Sequence, residues 1–516
     1  MTLAIAIEKP VRKENEAVAL AKRITSAAAV SLMLAGCAVG PDFERPAAPD
    51  VTGFTGTPLA AQTSAADVTG GAAQKFIVGE NITAQWWTLF QSPQLNSLIE
   101  LAIRNNPNLQ AAQASLRQAQ ETLSATKSVL FPSVDGHLDG RRQKSYGNFG
   151  GPTAVTIPAY TVTTASVSVS YALDLFGASR RALEGTRAQT EQARFQMEAA
   201  YLALTSNVVV TAVQQASLRA QVAATQTVLD SQEQQLGILN KQLELGGVAE
   251  ADVLTQLTAV AQTRAQLPQL QKQLSQTNNQ LLALTGRFPD RVAEEFDLGA
   301  LQLPVTLPVS LPSQLVEQRP DIRAAQEVMH AASADIGFAT AMMLPQISLG
   351  ATYGSSASSF DQMLAAGSGI WTLTGGLTQP IFHGGELLHK RHAAVAAFDA
   401  AAAQYRGTVL TAFQNISDVL RALEVDADAV KAQVDAERAA AQNLEIAQNR
   451  FQSGATNFLT LLDAQRTYQQ ARIALVQAQS ARYADTAALF VALGGGWWNR
   501  PENKDATTEN TVADNK

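Results

Sequence analysis

The sequence predicts an α+β membrane protein with a duplicated unit, four β-strands per chain that need other copies to close a barrel, and long helices that form coiled coils. Three observations predict it. Matching prolines recur at a constant spacing, four short segments alternate strictly between apolar and polar residues, and two segments of about 65 residues are rich in Ala, Gln and Leu and lack proline.

Composition excludes several classes of protein. The chain has 516 residues, 46% of them hydrophobic and 16% charged, with a net charge of -7, so it is neither disordered nor strongly basic. A pI near 5.4 disfavours a nucleic-acid binder. The single cysteine excludes an intramolecular disulfide framework and a Cys-rich zinc site. Beyond the first forty residues, no uninterrupted apolar stretch has the length of a transmembrane helix, which excludes a polytopic helical membrane protein.

The first 36 residues have the pattern of a secretory leader. Basic side chains precede a short apolar run at residues 24–34, which ends in Leu-Ala-Gly-Cys at residues 34–37. This tetrapeptide resembles the bacterial lipoprotein box, which implies that the Cys37 sulfur carries a diacylglyceryl group after cleavage. Ala38 stands where an aspartate would retain such a lipoprotein in the inner membrane, so the resemblance implies the outer membrane. The alternative is an incidental thiol near a cleavage site.

A unit of about 210 residues occurs twice. Pro107 and Pro132 recur 213 residues later as Pro320 and Pro345, and Gly246 recurs 208 residues later as Gly454. Each copy has a helix ended by proline, a strand pair, a very long helix, a Gly turn and a returning helix. The helices are expected at residues 107–130, 180–245, 320–343 and 386–451. Residues 140–164 and 354–368, rich in Gly, Ser and Thr, are expected to be loops.

Four amphipathic strands cannot close a membrane barrel alone. In residues 165–171 one face is apolar and the other is all serine, and residues 347–353 follow a similar pattern. Because an open sheet edge in lipid leaves N–H and C=O groups unpaired, several copies must share one barrel. Two copies give eight strands, and three give twelve with room for a channel. The alternative is a soluble sandwich whose strands face water.

Several motifs in one order resemble the outer membrane factors, the exit ducts of tripartite efflux pumps and type I secretion systems. They include Arg319-Pro320-Asp321-Ile322, Phe451-Gln452-Ser453-Gly454, Leu462-Asp463-Ala464-Gln465-Arg466 and Gly494-Gly495-Gly496-Trp497. The resemblance covers residues 37–498 and points to the lipoprotein branch that serves drug and metal transporters. It implies a homotrimer with a twelve-stranded outer-membrane barrel and a helical periplasmic tunnel. It also implies a periplasmic adaptor and an inner-membrane transporter of the RND type as partners, and no cofactor beyond the lipid on Cys37.

The resemblance also implies a gate at the periplasmic end. Leu459 and Asp463, four residues apart on one helix face, would form an apolar ring and a carboxylate ring at the narrowest point. Arg466 and Phe451 match positions that hold the closed end, although Phe451 lacks the hydroxyl of the usual tyrosine. Arg466 is therefore expected to pair with an acid such as Asp252. The alternatives are a coiled-coil core position for Leu459 and a solvated acid for Asp463.

Gly246 and Gly454 are expected to form turns that the tips of an adaptor hairpin grip, with glycine needed for close backbone packing. The alternative is a simple turn without a partner. The predicted organisation of the whole chain is a signal peptide (1–36), an acylated extended segment (37–85), repeat 1 (86–300), a Pro-rich linker (301–312), repeat 2 (313–498) and a disordered tail (499–516).

Two other functions compete with a duct. An enzyme is disfavoured because the sequence has no nucleophile elbow, phosphate loop or nucleotide fingerprint, and because His389 and His392 at spacing i,i+3 fit a solvated helix start better than a metal site. A periplasm-spanning lipoprotein that tethers the envelope layers would need long helices and an anchor but no alternating strands. The strands therefore favour a passive duct.

Overall fold

A computed structural model describes residues 38–144, 146–147, 155–156 and 158–500. The leader, Cys37 and all of the predicted tail except its first two residues lie outside this part. The helices are α1 (Pro93–Asn105), α2 (Pro107–Lys127), α3 (Ala178–Glu244), α4 (Glu250–Leu284), α5 (Pro312–Gln318), α6 (Pro320–Ala341), α7 (Glu386–Gln452) and α8 (Phe458–Ala492). The strands are β1 (Lys75–Val78), β2 (Ser133–Gln143), β3 (Tyr146–Gly147), β4 (Val155–Thr156), β5 (Tyr160–Leu173), β6 (Thr306–Val309), β7 (Gln346–Ala357) and β8 (Gly369–Thr378).

The duplication appears in the element boundaries. Helices α3 and α7 both have 67 residues and α4 and α8 both have 35, and in each pair both ends are offset by 208 residues. Helices α2 and α6 begin 213 residues apart, as do β2 and β7. The repeat predicted from single residues is thus confirmed as a repeat of whole elements.

The four long strands form one antiparallel sheet in the order β2-β5-β7-β8. Its register aligns apolar residues in rows on one face: Val167 lies opposite Tyr353, which lies opposite Trp371. Hydroxyl groups share the other face, where the Ser133 and Ser170 Oγ atoms are 2.8 Å apart. The sheet and its alternation therefore agree with the prediction, and β2 and β8 form its two edges.

Several predicted boundaries were wrong. Residues 140–143 and 160–164 are strand, and β7 continues to Ala357, because ladder pairing extends through Gly, Ser and Thr residues whose composition alone indicated a loop. Helix α2 ends at Lys127 and is followed by a 3₁₀ turn, Ser128–Leu130. Within the Pro-rich linker, β6 pairs in parallel with β1, so this connector is partly a strand.

Chain contacts divide the protein into two compact units. Among the described residues, the first holds Gln118–Glu191 and Glu327–Ala403 together with residues 38–45, and contains the four-stranded sheet. The second holds Pro46–Arg117, Gln192–Gln326 and residues 404–500. Its core includes Trp86, which is fully buried and stacks on Phe490 with 5.4 Å between ring centroids.

The motif at residues 319–321 links two elements of the second unit. Arg319 binds both carboxylate oxygens of Asp321, at 3.0 and 2.6 Å, and donates to the carbonyl oxygen of Ala492 at 2.9 Å. The start of α6 is thereby fastened to the end of α8. In the part of the chain that is described, no helix combines the length and the apolarity needed to cross a bilayer.

Candidate gate at the hairpin ends

Both long helix pairs end in the same turn. The Gly246 N–H donates to the Leu243 carbonyl oxygen and the Gly247 N–H to that of Gln242, at 2.9 and 2.7 Å. The equivalent bonds at Gly454 and Ala455 measure 3.0 and 2.8 Å. These paired bonds are a Schellman motif, which ends a helix with a residue in the left-handed region.

The φ angles of Gly246 and Gly454 are 73° and 71°, so both turns require the conformational freedom of glycine. Among the described residues, and apart from the two that adjoin each glycine, no heavy atom lies within 4 Å of the position that a Cβ would occupy at Gly246 or Gly454. Backbone conformation, rather than the predicted close packing, therefore accounts for glycine here in the single chain. The prediction that an adaptor contacts these turns stays a prediction.

Leu459 and Asp463 both lie on an exposed stripe of α8. Leu459 is 58% exposed, whereas its neighbours Leu461 and Ala464 are almost completely buried. Asp463 and Arg466 continue the exposed face one and two turns further along. A coiled-coil core position for Leu459 is therefore not realised within the single chain, and this stripe is available to line a channel or to contact another copy.

The first repeat lacks this stripe. The residues 208 positions earlier than Leu459, Asp463 and Arg466 are Ala251, Thr255 and Thr258, which are smaller and uncharged. Two hairpins of identical length and turn geometry thus differ in side chains at equivalent positions of their returning helices. Sequence reasoning missed this asymmetry, although aligning the two copies residue by residue would have found it. It distinguishes the α7–α8 hairpin from the α3–α4 hairpin.

Phe451 joins the two hairpin ends through apolar contacts. Its ring packs edge-on against Phe458, with centroids 6.1 Å apart. The two rings belong to a cluster with Leu239 and Val253, residues of α3 and α4. All four long helices therefore contribute to the cluster that contains Phe451. The phenyl ring packs there without the hydroxyl group of the tyrosine that the family usually has at this position.

Arg466 does not form the predicted ion pair with Asp252 within the described chain. Its Nη2 atom lies 3.3 Å from Oε1 of Gln262, and one turn further along Gln469 donates to Gln266 at 3.2 Å. The partners that α4 offers to α8 at these two contacts are therefore the neutral amide groups of Gln262 and Gln266. The expectation was wrong because side-chain reach across two helices cannot be read from sequence spacing.

Two histidines lie close together at the start of α7. The rings of His389 and His392 are edge-on, with centroids 6.1 Å apart. Among the described residues, no group of three or more His, Cys, Asp or Glu side chains is arranged to hold a metal ion.

Sequence reasoning missed a hydrogen-bond network around Arg482 in the second unit. The guanidinium of Arg482, buried in α8, donates to the carbonyl oxygens of Gly70 and Ala72 and to Oγ1 of Thr63, at 3.0, 2.7 and 2.9 Å. These bonds hold the segment before β1 against the helix. The sequence shows Arg482 as one of three arginines of α8, and its position alone does not identify its partners.

One carboxyl group near Arg482 has a shifted pKa. Burial raises the pKa of Asp426 on α7 to about 7, and a hydrogen bond and like charge from Asp485 add to the shift, against the smaller effect of Arg482. This pair of acids gives the second unit a proton-sensitive contact between α7 and α8.

Comparison with known proteins assigns this architecture to a class. The fold matches the solved structure of the outer-membrane channel OprN, with a TM-score of 0.79 and 27% identity, covering 89% of this chain and 100% of that one. The molecule thus has the fold of an outer-membrane channel.

The family follows from the sequence comparisons. The model of the outer membrane efflux protein family matches residues 98–287 and 311–495, and the chain belongs to this family. It is 32% identical to the toluene efflux pump outer membrane protein TtgC of Pseudomonas putida, over 95% of this chain and 99% of that protein. It is 30% identical to the cation efflux system protein CusC of Escherichia coli, over 91% and 97%.

Proposed function

We propose that this protein is the outer-membrane exit duct of a tripartite efflux pump, a passive channel opened by a periplasmic adaptor and an inner-membrane transporter of the RND type. The observation that carries the proposal is a sheet of only four strands with an exposed apolar face, in a chain of the outer membrane efflux protein family. Trp371 and Leu373 on that face are 77% and 79% exposed, which suits contact with lipid rather than with water.

Three copies form the duct. Edge strands β2 and β8 of one copy would pair with those of its neighbours, because unpaired backbone groups in hydrocarbon cost several kcal/mol each. Twelve strands leave room for a channel, whereas eight would have a lumen filled by side chains. The hydroxyl-rich face of the sheet would then line the passage, and the long helices would continue it as a tunnel through the periplasm.

The ends of the α7–α8 hairpins form the gate. Three copies of Leu459 would narrow and dewet the passage, and three copies of Asp463 would repel anions and attract cations. Arg466 and Phe451 would hold this end closed through Gln262 and Phe458, respectively. The turns at Gly246 and Gly454 would contact the adaptor.

The chain would be held in the outer membrane by a lipid on Cys37 and extend into the periplasm. No catalytic residue, metal or other cofactor is needed, since a passive duct draws its energy from the inner-membrane partner. Cargo would be small toxic molecules, drugs or metal ions, a range suggested by relatives named for toluene and cation efflux.

A structural lipoprotein that tethers the envelope layers is the alternative. It would use the long helices and the anchor, but it would give no reason for an apolar sheet face or for an asymmetric stripe at Leu459 and Asp463.

Conductance in planar bilayers tests the duct. The unaltered protein should conduct poorly, and Leu459→Ser or Asp463→Asn should raise the open conductance several-fold. Leu254→Ser is the matched control, since this leucine is similarly exposed, at 54%, but lies in the first hairpin. Large conductance in the unaltered protein would remove the gate, and failure of every variant to conduct would favour the tether.

A further inference from the structure

The first described residues form a strap, residues 38–45, that lies against the first unit. The Val39 N–H donates to the Phe176 carbonyl oxygen at 3.1 Å, just beyond the end of β5. A Cβ at Gly177 would come within 2.7 Å of the Ala38 Cα atom, so the two backbones are in direct contact. The strap therefore begins at the helix-side end of the sheet.

A buried arginine fastens the strap to α3. Arg181 is only 4% exposed, and its guanidinium donates to the carbonyl oxygens of Val39 and Gly40, at 3.2 and 3.4 Å. It also pairs with Asp42 of the strap and Glu184 of its own helix, both at 2.7 Å. Three of these four partners belong to the strap. Removing the strap would leave a buried cation short of acceptors, which is costly.

A histidine of α6 forms the second attachment. His330 lies between two carboxylates, with Nε2 3.1 Å from Oε1 of Glu184 and Nδ1 3.3 Å from Oε2 of Glu327. Phe43 of the strap stacks on the imidazole ring, with centroids 4.4 Å apart and an interplanar angle of 13°. An imidazolium over a phenyl face gains a cation–π contribution in addition to the packing.

Two glycines allow the strap to approach the helix. A Cβ at Gly40, whose φ is 101°, would come within 2.3 Å of the Gly337 Cα atom on α6. A Cβ at Gly337 would in turn collide with the stem of Arg181, at 2.9 Å. The strap thus fits a site that helices from both repeats build together, since α3 belongs to the first copy and α6 to the second.

We propose that the strap is an intramolecular clasp, with Arg181, His330 and Phe43 as its positioning residues, that fixes the point at which the lipid-bearing Cys37 leaves the protein. This inference rests on the proposed function only for the lipid. One peptide unit spans about 3.8 Å between successive Cα atoms, so a seated strap that begins at Ala38 would confine the anchor to the end of the sheet. With residues 38–45 released, the same anchor could move roughly 25 Å away.

Mobility of the strap tests the clasp. Cys37 is the sole cysteine and would be blocked by lipid, so Glu44→Cys provides a single site for a nitroxide spin label in the full-length trimer. The label should be immobilised in this parent. Arg181→Met or Phe43→Ala should release it, with a several-fold gain in the mobile fraction of the spectrum.

Two controls keep the test interpretable. Arg187→Met removes an exposed arginine from the same helix and should leave the label immobilised. Phe43→Ala changes only the strap, so it addresses the case in which Arg181→Met fails to fold. Identical spectra in all variants, or a mobile label in the parent, would overturn the clasp. An immobilised label that Phe43→Ala releases, in a protein that never conducts, would support the clasp while contradicting the duct.

Discussion

Phe451→Ala should loosen the junction between the two hairpin ends. Phe451 is half-buried and contacts Phe458, and both rings pack in a cluster with residues of α3 and α4. Burial of about 100 Å² of phenyl surface at about 25 cal/mol per Å² stabilises this junction by about 2.5 kcal/mol. The edge-on contact with Phe458 lies within the α7–α8 hairpin, so it adds nothing to the junction between the two hairpins.

If opening separates the hairpins, the variant should shift the equilibrium toward the open state by about 2.5 kcal/mol, roughly 70-fold. Phe451→Leu retains most of the packed volume and should shift it by about 1 kcal/mol, roughly fivefold. Single-channel recording of open probability measures both shifts. Hydrogen exchange of residues 449–461 measures the local loosening independently of conduction.

The two readouts separate the possible failures. Faster exchange without a change in open probability would mean that the Phe451 cluster does not hold the gate. Unchanged exchange in Phe451→Ala would refute the packing argument itself, because a half-buried ring that joins four helices cannot be removed without local loosening.

Three further predictions concern the turn and two titrating groups. Gly454→Ala should destabilise the second hairpin by about 1–2 kcal/mol, because alanine disfavours the positive φ of this residue. Gly407→Ala should instead stabilise the protein by about 0.5–1 kcal/mol, because residue 407 lies in the interior of α7 and a Cβ has room there. Thermal unfolding of both variants checks this. The pKa of Asp426 is raised from 3.8 to about 7, so its protonated form contributes stability that is present below pH 3.8 and lost as the pH rises through 7. Asp426→Asn should therefore be more stable than the parent at pH 8. Denaturant unfolding of this variant should also lack the decrease in unfolding free energy between pH 3.8 and 7. Hydrogen bonds that the His330 imidazolium donates to the carboxylates of Glu184 and Glu327 outweigh burial and raise the pKa of His330 from 6.5 to about 9. The contribution of His330 to the clasp is therefore complete below pH 6.5 and lost as the pH rises through 9. The spin label at residue 44 should become mobile above pH 9, and a label that stays immobilised at pH 10 would contradict this contribution.

Much of the fold follows from local pattern. Period-2 alternation at residues 165–171 and 347–353 predicted strands because the two faces of this sheet have different surroundings. The long helices could be predicted because a segment of 67 residues without proline has few alternatives to a helix. The repeat could be recognised because prolines and glycines mark the ends of elements, and a duplication copies these residues with their spacing.

Long-range pairing could not be predicted in the same way. Strand β6 has a short, weakly patterned sequence, and its parallel pairing with the distant strand β1 stabilises it. The partners of Arg466 and Arg482 depend on which helices lie side by side. The strap, too, depends on glycines whose close approach appears only in three dimensions.

The number of copies in the detergent-extracted protein tests the central claim most directly. Native mass spectrometry should find three chains, and cysteines placed at facing positions on β2 and β8 should form disulfides between chains, because each four-stranded sheet contributes its two edges to its neighbours. A stable single chain that gives no such cross-link would contradict a shared barrel and, with it, the duct.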